Sequence, residues 1–256
     1  MSTKGTEPVR AIGKACRLLD LLKEARRPMS LGELADATGW AKSTVHGLLQ
    51  SMRGEGLVEQ NAQSGRYELG MRLFEYGNAV QSTKSILTLC AEPMRRLVER
   101  TGESATLSML DRGEALVLAH AEADSSFHIA SETGAHLPAF ATAQGKALLS
   151  SLSDASVKRI FEERYQPLTP HTIAEVSALI GELKTVRKNG FAVENGEFKV
   201  GIRGVAAPIY DYRGDVKYAI GLIGLFRRVD SDEFREATAR VLETAKDLSA
   251  ALGYRA

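Results

Sequence analysis

Lys42, Ser43, Thr44, His46, Gln50 and Arg53 fall within one short segment and bring together cations, hydroxyls, an imidazole and an amide. At the helical period of 3.6 they share the face opposite Val45, Leu48, Leu49 and Met52. Such groups donate hydrogen bonds to phosphate oxygens and meet base edges in a groove, so the chemistry they predict is recognition of DNA. Ser43, Thr44 and His46 are expected nearest the bases, and Lys42 on phosphate.

The flanking residues supply the elements that such a face needs. Ser30 and Glu33 have capping-box spacing, which starts a helix at SLGELADATGW. Leu31, Leu34 and Ala35 follow at helical spacing, and Gly39 allows the tight turn between crossing helices. A leading helix is predicted over 11–24, with Ile12, Ala15, Leu18, Leu19 and Leu22 as its buried stripe. LVEQ (57–60) and RYEL (66–69) alternate in polarity across the loop NAQSG, as a β-hairpin does. Three helices and a hairpin make a winged helix-turn-helix, with Arg66 of the wing expected to reach phosphate. A helix pair with a merely hydrated polar face is the plain alternative, and the hairpin argues against it.

Composition sets bounds on the rest. The chain has 256 residues, 44% hydrophobic and 25% charged, the profile of a globular protein of one or two domains. Its net charge is +1. Residues 1–80 hold eleven Lys/Arg against nine Asp/Glu, so phosphate attraction from one subunit is modest and an oligomer is expected on DNA. Cys16 and Cys90 lie on separate predicted helices without metal-ligand spacing, and both are expected to be buried free thiols. The apolar runs are too short to span a membrane and residues 1–10 lack a signal-peptide core, so a cytoplasmic protein is expected.

Residues 71–86 are expected to form a linker helix that packs against its copy in a dimer, with Leu73, Phe74, Gly77 and Val80 on one face. A helix ending at Gly102 follows, then strands SATLSML, ALVLAHA and SFHIAS, and helical stretches from ATAQGKALLSSL through the segment started by Ser153 to IAEVSALIGELKTVRKNG. FAVE, GVAAPIYD and VKYAIGLIGLF are strands. The last is nearly all apolar, which predicts a central position covered on both faces. A closing helix carries Phe234, Val241, Ala245, Leu248 and Leu252 inward. The fold class is α+β, with the DNA-reading domain in 1–70, the linker in 71–86 and a sheet domain in 87–256.

With these segments in order, the chain resembles the IclR family of bacterial transcriptional regulators over about Val9 to Leu252. The carriers are KACRLLDLL, SLGELADATGWAKSTVHGLLQSM, GRYELGMRLFEYG, LPAFATAQGKALL, LTPHT, RKNGFAVENGEFKVGIRGVAAPIYD and the closing helix. The resemblance implies a GAF-like C-terminal domain that binds a small-molecule effector, and homodimers or tetramers on palindromic double-stranded operators. It maps the effector site onto Ala143, Gln144, Glu194, Gly204, Gly221 and Ile223, with Ile129 and Leu137 completing an apolar wall. Two departures stand out. Gly47 takes the place of a family cation in STVHGLL, and Glu194 and Gly204 replace a common Asp and a common Cys, Ser or Ala.

Gln144 can donate and accept, and Glu194 accepts when ionised, so a few polar groups in an apolar cup would orient a ligand. Gly204 and Gly221 are expected to leave volume, favouring an aromatic, sugar-derived or amine-bearing ligand over a very small carboxylate. The competing reading makes Glu194 a surface residue and the glycines close-packing positions. His120, Glu122, Asp124 and His128 lack a tight ligand motif, so neither a metal nor another cofactor is expected, and His136 and His171 are expected in loops. FATAQGKA resembles a phosphate loop, but Phe140 and Ala147 stand where Gly and Ser/Thr are needed. GxGxxG, GxSxG and HExxH do not occur. No catalytic set is expected. A DNA-binding protein that also turns over its metabolite is the alternative.

Overall fold

Ser30 caps the helix that follows it: its hydroxyl accepts from the Glu33 amide at 3.2 Å, and its own amide donates to Glu33 Oε2 at 2.7 Å. This closes the predicted capping box. The computed structural model describes residues 10–79, 81–123 and 132–255. Contacts divide the chain into two compact units, Met1–Lys84 and Ser85–Ala256.

The first unit runs α1 (Arg10–Ala25), α2 (Leu31–Thr38), α3 (Lys42–Gly54), β1 (Val58–Gln60), β2 (Tyr67–Leu69) and α4 (Arg72–Ala79). Gly39 ends α2 in the left-handed region at φ 68°, where glycine carries no steric penalty. The strands pair antiparallel, and Met29 extends the sheet by exchanging backbone bonds with Tyr67. Leu18, Leu22, Leu34, Val45, Leu49, Met52, Val58 and Tyr67 form one core. Two expectations fail here. Ile12 is 64% exposed, and Cys16 is exposed as well. Ile12 precedes the part of α1 that packs on the core, which begins at Ala15, and Cys16 lies on the outward face with Arg17 and Asp20.

α5 (Gln81–Thr101) begins at the end of the first unit and runs into the second, which also holds β3 (Ser104–Asp111), β4 (Glu114–Ala121), β5 (His136–Pro138), α6 (Ala143–Leu149), α7 (Asp154–Arg164), α8 (Val176–Asn189), β6 (Ala192–Asn195), β7 (Arg203–Tyr210), β8 (Val216–Gly224) and α9 (Asp232–Ala251). The sheet is antiparallel throughout, in the order β5-β4-β3-β8-β7-β6. The apolar strand β8 is central, as its composition predicts. The expected strand SFHIAS, residues 126–131, lies outside the described residues. His136 is in β5 rather than a loop, with Nε2 3.0 Å from Asp111 Oδ2.

Directly opposed residues in an antiparallel sheet share a face. Leu107, Val205, Ile209, Ile220 and Leu222 face α5 and α9, where Met94, Leu97, Phe234 and Val241 complete the main core. The other face carries small residues, Ala192, Ala206 and Ala219, against Ala143 and Ala147 of α6. Phe140, Phe161, Leu179 and Leu183 back α6 with α7 and α8. Gly145 lets this turn close. A Cβ there would lie 2.2 Å from Ala139 Cα and 2.3 Å from its carbonyl oxygen. Gly145→Ala is therefore expected to destabilise the protein by about 2 kcal/mol through overpacking against fixed backbone. Urea unfolding measures it, and a neutral substitution would mean that the turn has room to move.

Candidate functional sites

On α3, Lys42, Ser43, Thr44 and His46 are exposed while Val45, Leu49 and Met52 are buried, so the polar face predicted for this helix stands outward. Ala41 precedes the helix and caps it with no side-chain hydrogen bond. The first-turn amides of a helix have no intrahelical acceptor, and uncapped they suit an anion. His46 Nε2 and Gln50 Nε2 are 3.4 Å apart on adjacent turns. Arg53 donates to Gln60 Oε1 at 2.9 Å, tying the end of α3 to the wing.

Arg66 of the wing lies against the start of α2, with its side chain 41% exposed. Its Nη1 lies 2.9 Å from Glu33 Oε2 and 3.0 Å from the Pro28 carbonyl. Arg27 meets the other Glu33 oxygen at 2.8 Å. Bonds from the Ser30 amide and hydroxyl, then from Arg27, hold the Glu33 carboxyl at about 2. Arg66 thus completes the cap of α2, because the β2 pairing at Met29 brings it beside that carboxylate.

In the second unit, four residues of the expected effector set share the α6-facing side of the sheet. Glu194, Gly204, Ile223 and Ser104 form one row across β6, β7, β8 and β3. Ala192, Ala206, Gly221, Thr106 and His120 form the next. Ala143 and Gln144 of α6 lie over them, and Gln144 Nε2 donates to Thr106 Oγ1 at 2.5 Å. Leu137 is in β5, opposite Ala115, and packs against the same alanine cluster. Ile129, Asp124 and His128 lie outside the described residues. His120 ends its row near the close of β4 and Glu122 follows the strand.

Glu194 is 1% exposed, which overturns the surface reading. Its Oε1 accepts from the Phe198 amide at 3.2 Å. Burial raises its carboxyl to about 7, against the Phe198 bond and the Lys146 charge. The glycines do not leave the expected volume. A Cβ on Gly221 would stand 2.5 Å from the Val205 carbonyl and 2.7 Å from Ala206 Cβ. One on Gly204 would meet the Leu222 carbonyl at 3.0 Å. Gly221 is a close-packing position, and Gly204 nearly so.

Sequence reasoning missed Lys146. It is 0% exposed, and its Nζ contacts Glu182 Oε1 at 2.5 Å and Glu197 Oε1 at 2.6 Å. These bonds tie α6 to α8 and to the segment after β6. Glu197 Oε2, Ser108 Oγ and His120 Nε2 are buried without a hydrogen-bond partner among the described residues. Ser108 follows Thr106 on the same face of β3, since both register with β8. The available signal was a helix, AQGKALL, in which a lysine sits among apolar and small residues. Among the described residues there is no group of three or more His, Cys, Asp or Glu placed to hold a metal. No described helix is long and apolar enough to cross a membrane.

Models of two families match the chain: the IclR helix-turn-helix domain over residues 11–62, and the bacterial transcriptional regulator IclR C-terminal domain over 78–250. The HTH-type transcriptional regulator XynR of Escherichia coli K12 is 32% identical over 247 residues, covering 96% of this chain and 98% of that protein. The structure of the Thermotoga maritima IclR superposes with a TM-score of 0.76 at 27% identity, covering 96% of this chain and all of that one. An IclR homologue from Microbacterium hydrocarbonoxydans, solved with 4-hydroxybenzoate, shares the fold at a TM-score of 0.84, with 20% identity and coverage of 94% and 98%.

The buried carboxyl has a consequence for stability. A folded value near 7 against an ordinary 4.5 means that the native state holds more protons between those limits. The contribution is present below about pH 4.5 and is lost as pH rises through 7, at a cost of up to about 3 kcal/mol. Glu103, raised to about 7 by burial and then by Glu233, acts in the same direction. Glu194→Gln is expected to flatten, without abolishing, the fall in unfolding free energy from pH 5.5 to 8.5. An unchanged slope in urea titrations would show that another group titrates.

Proposed function

The chain belongs to the IclR family of bacterial transcriptional regulators, and on that premise we propose how its two units share the work. The protein binds double-stranded, palindromic operator DNA as a homodimer or a dimer of dimers, with α3 in the major groove. The observation that carries this reading is the polar face of α3, exposed from its uncapped first turn onward and held outward by Val45, Leu49 and Met52. Ser43, Thr44 and His46 meet base edges, Lys42 meets phosphate, and Gln50 supports His46. Arg53 and Arg66 hold the wing and the cap of α2 in place.

A small-molecule effector seated between α6 and the sheet controls that binding. Gln144, Glu194 and the unpartnered Ser108 and His120 support the reading, because buried polar groups in an apolar site are left without partners unless a ligand or water supplies them. The effector is a catabolic-pathway metabolite, aromatic or sugar-derived; an IclR homologue from Microbacterium hydrocarbonoxydans is solved in complex with the aromatic 4-hydroxybenzoate. It must bind the DNA-competent and incompetent states with different affinity. The connecting helices α4 and α5 are the route between the units. The protein acts in the cytoplasm as a regulator without turnover, with no metal or other cofactor.

Two experiments test the DNA half. Lys42→Ala is expected to weaken binding almost uniformly across sequences and to reduce the salt slope by about one. Fluorescence anisotropy on the gene's own upstream duplex and a scrambled duplex measures both, and loss confined to one sequence would overturn the phosphate assignment. Met71 and Phe74 are 65% and 68% exposed beside α4, which supports pairing there. Phe74→Glu is expected to shift sedimentation toward the monomer, and unchanged sedimentation would remove α4 from the dimer contact.

A further inference from the structure

The outer edge of β7 is only half covered. β6 pairs with Arg203–Ala206 and stops, so Ala207–Tyr210 has β8 on one side and, among the described residues, no strand on the other. The chain leaves α8 through Gly190, at φ 79°, and enters β6 at Ala192. α9 closes the opening instead. The result is a groove of about 240 Å³ between β7 and α9, walled by Ala207, Pro208, Leu242 and the stacked pair Tyr210–Tyr254, whose ring centroids are 5.0 Å apart.

The edge is unsuited to a further strand. Pro208 has no amide hydrogen to donate. The Tyr210 amide already donates to Ser249 Oγ at 3.0 Å, and that hydroxyl donates in turn to the Ala245 carbonyl. With its edge donors missing or satisfied, the groove offers apolar walls, two aromatic rings and one cation. That cation is Lys246 of α9, exposed at the rim and without an ion-pair partner among the described residues. An apolar cavity of about 150 Å³ already holds a benzene ring, so this one has room for one or two fused rings.

We infer that the β7–α9 groove is a second small-molecule site, for a compact aromatic anion whose rings lie against Tyr210 and Tyr254 and whose acidic group meets Lys246. The site is separate from the α6 side of the sheet, since no α6 residue lines it. A second ligand here acts on α9, which packs across β7 and β8 behind the proposed effector site.

The probe is anilinonaphthalene sulfonate, a fused-ring anion that fluoresces when its surroundings become apolar, titrated into the full chain. The wild type is expected to show one saturable site per chain. Lys246→Glu is expected to weaken binding about fivefold or more, as reversal of a rim charge should. Ala250→Trp, at an exposed position lining the groove, is expected to remove the saturable signal. Glu194→Gln is expected to leave it unchanged, which separates this site from the α6 side. Circular dichroism and melting temperature establish that each variant is folded, and Lys246→Glu, a surface exchange, keeps the test alive if the tryptophan does not fit. Absence of a saturable wild-type signal would overturn the inference, as would equal binding by folded variants. A change in sedimentation with Ala250→Trp would overturn it too, by showing that a second copy covers the groove.

Discussion

A lysine with no exposed surface organises the second unit. Removing an ammonium from water is strongly unfavourable unless partners replace the lost hydration. Lys146 finds them in Glu182 and Glu197, so α6 cannot shift without breaking the pair that makes its burial tolerable. Other contacts on that side of the sheet hold α6 in the same place. Gln144 is held against Thr106, Ala143 sits over Gly204, and the segment after β6 folds back so that its Phe198 amide reaches Glu194. Three carboxylates then surround one cation. Burial raises both Glu194 and Glu197, and Lys146 opposes the shift. The cluster holds more acceptor capacity than the cation alone satisfies, and Glu197 Oε2 is left without a partner among the described residues.

The first unit uses the same logic at its surface. Glu33 takes bonds from Ser30, Arg27 and Arg66, so one carboxylate joins the start of α2, the loop before it and the wing. These groups are solvated, and the cluster acts by geometry more than by raw energy. It sets the angle at which the wing meets the helix pair, while Arg53 and Gln60 set it from the other side. Arg53 and Arg66 both make contacts within this unit, to Gln60 and to Glu33. The polar groups left outward on α3 are correspondingly few, in keeping with the small excess of cations in residues 1–80.

Most of the local structure was legible in the residues. Capping at Ser30, Ser153 and Ser231, the left-handed stops at Gly39 and Gly190, and the apolar run of β8 each depend on neighbours a few positions away. The buried stripes of α3, α8 and α9 follow from the same short-range periodicity. Periodicity says which face of a helix is apolar, and not how far along the helix a partner extends. That is why Ile12 continues the apolar stripe of α1 and still stands 64% exposed, beyond the reach of the core.

By itself, then, the sequence determined the elements, their order, the family and the outward face of α3. The tertiary structure decided which charges are spent inside the protein. Lys146 meets Glu182 and Glu197 across 36 and 51 residues of chain, and Arg66 meets Glu33 across 33. Glu194 is buried only because α6 is laid over β6 and β7. Glycines 204 and 221 look like open space in the sequence, yet cross-strand neighbours and α6 occupy it in the sheet. Desolvation and close approach are properties of what lies across a gap in space, and helical or strand spacing along the chain carries no record of it.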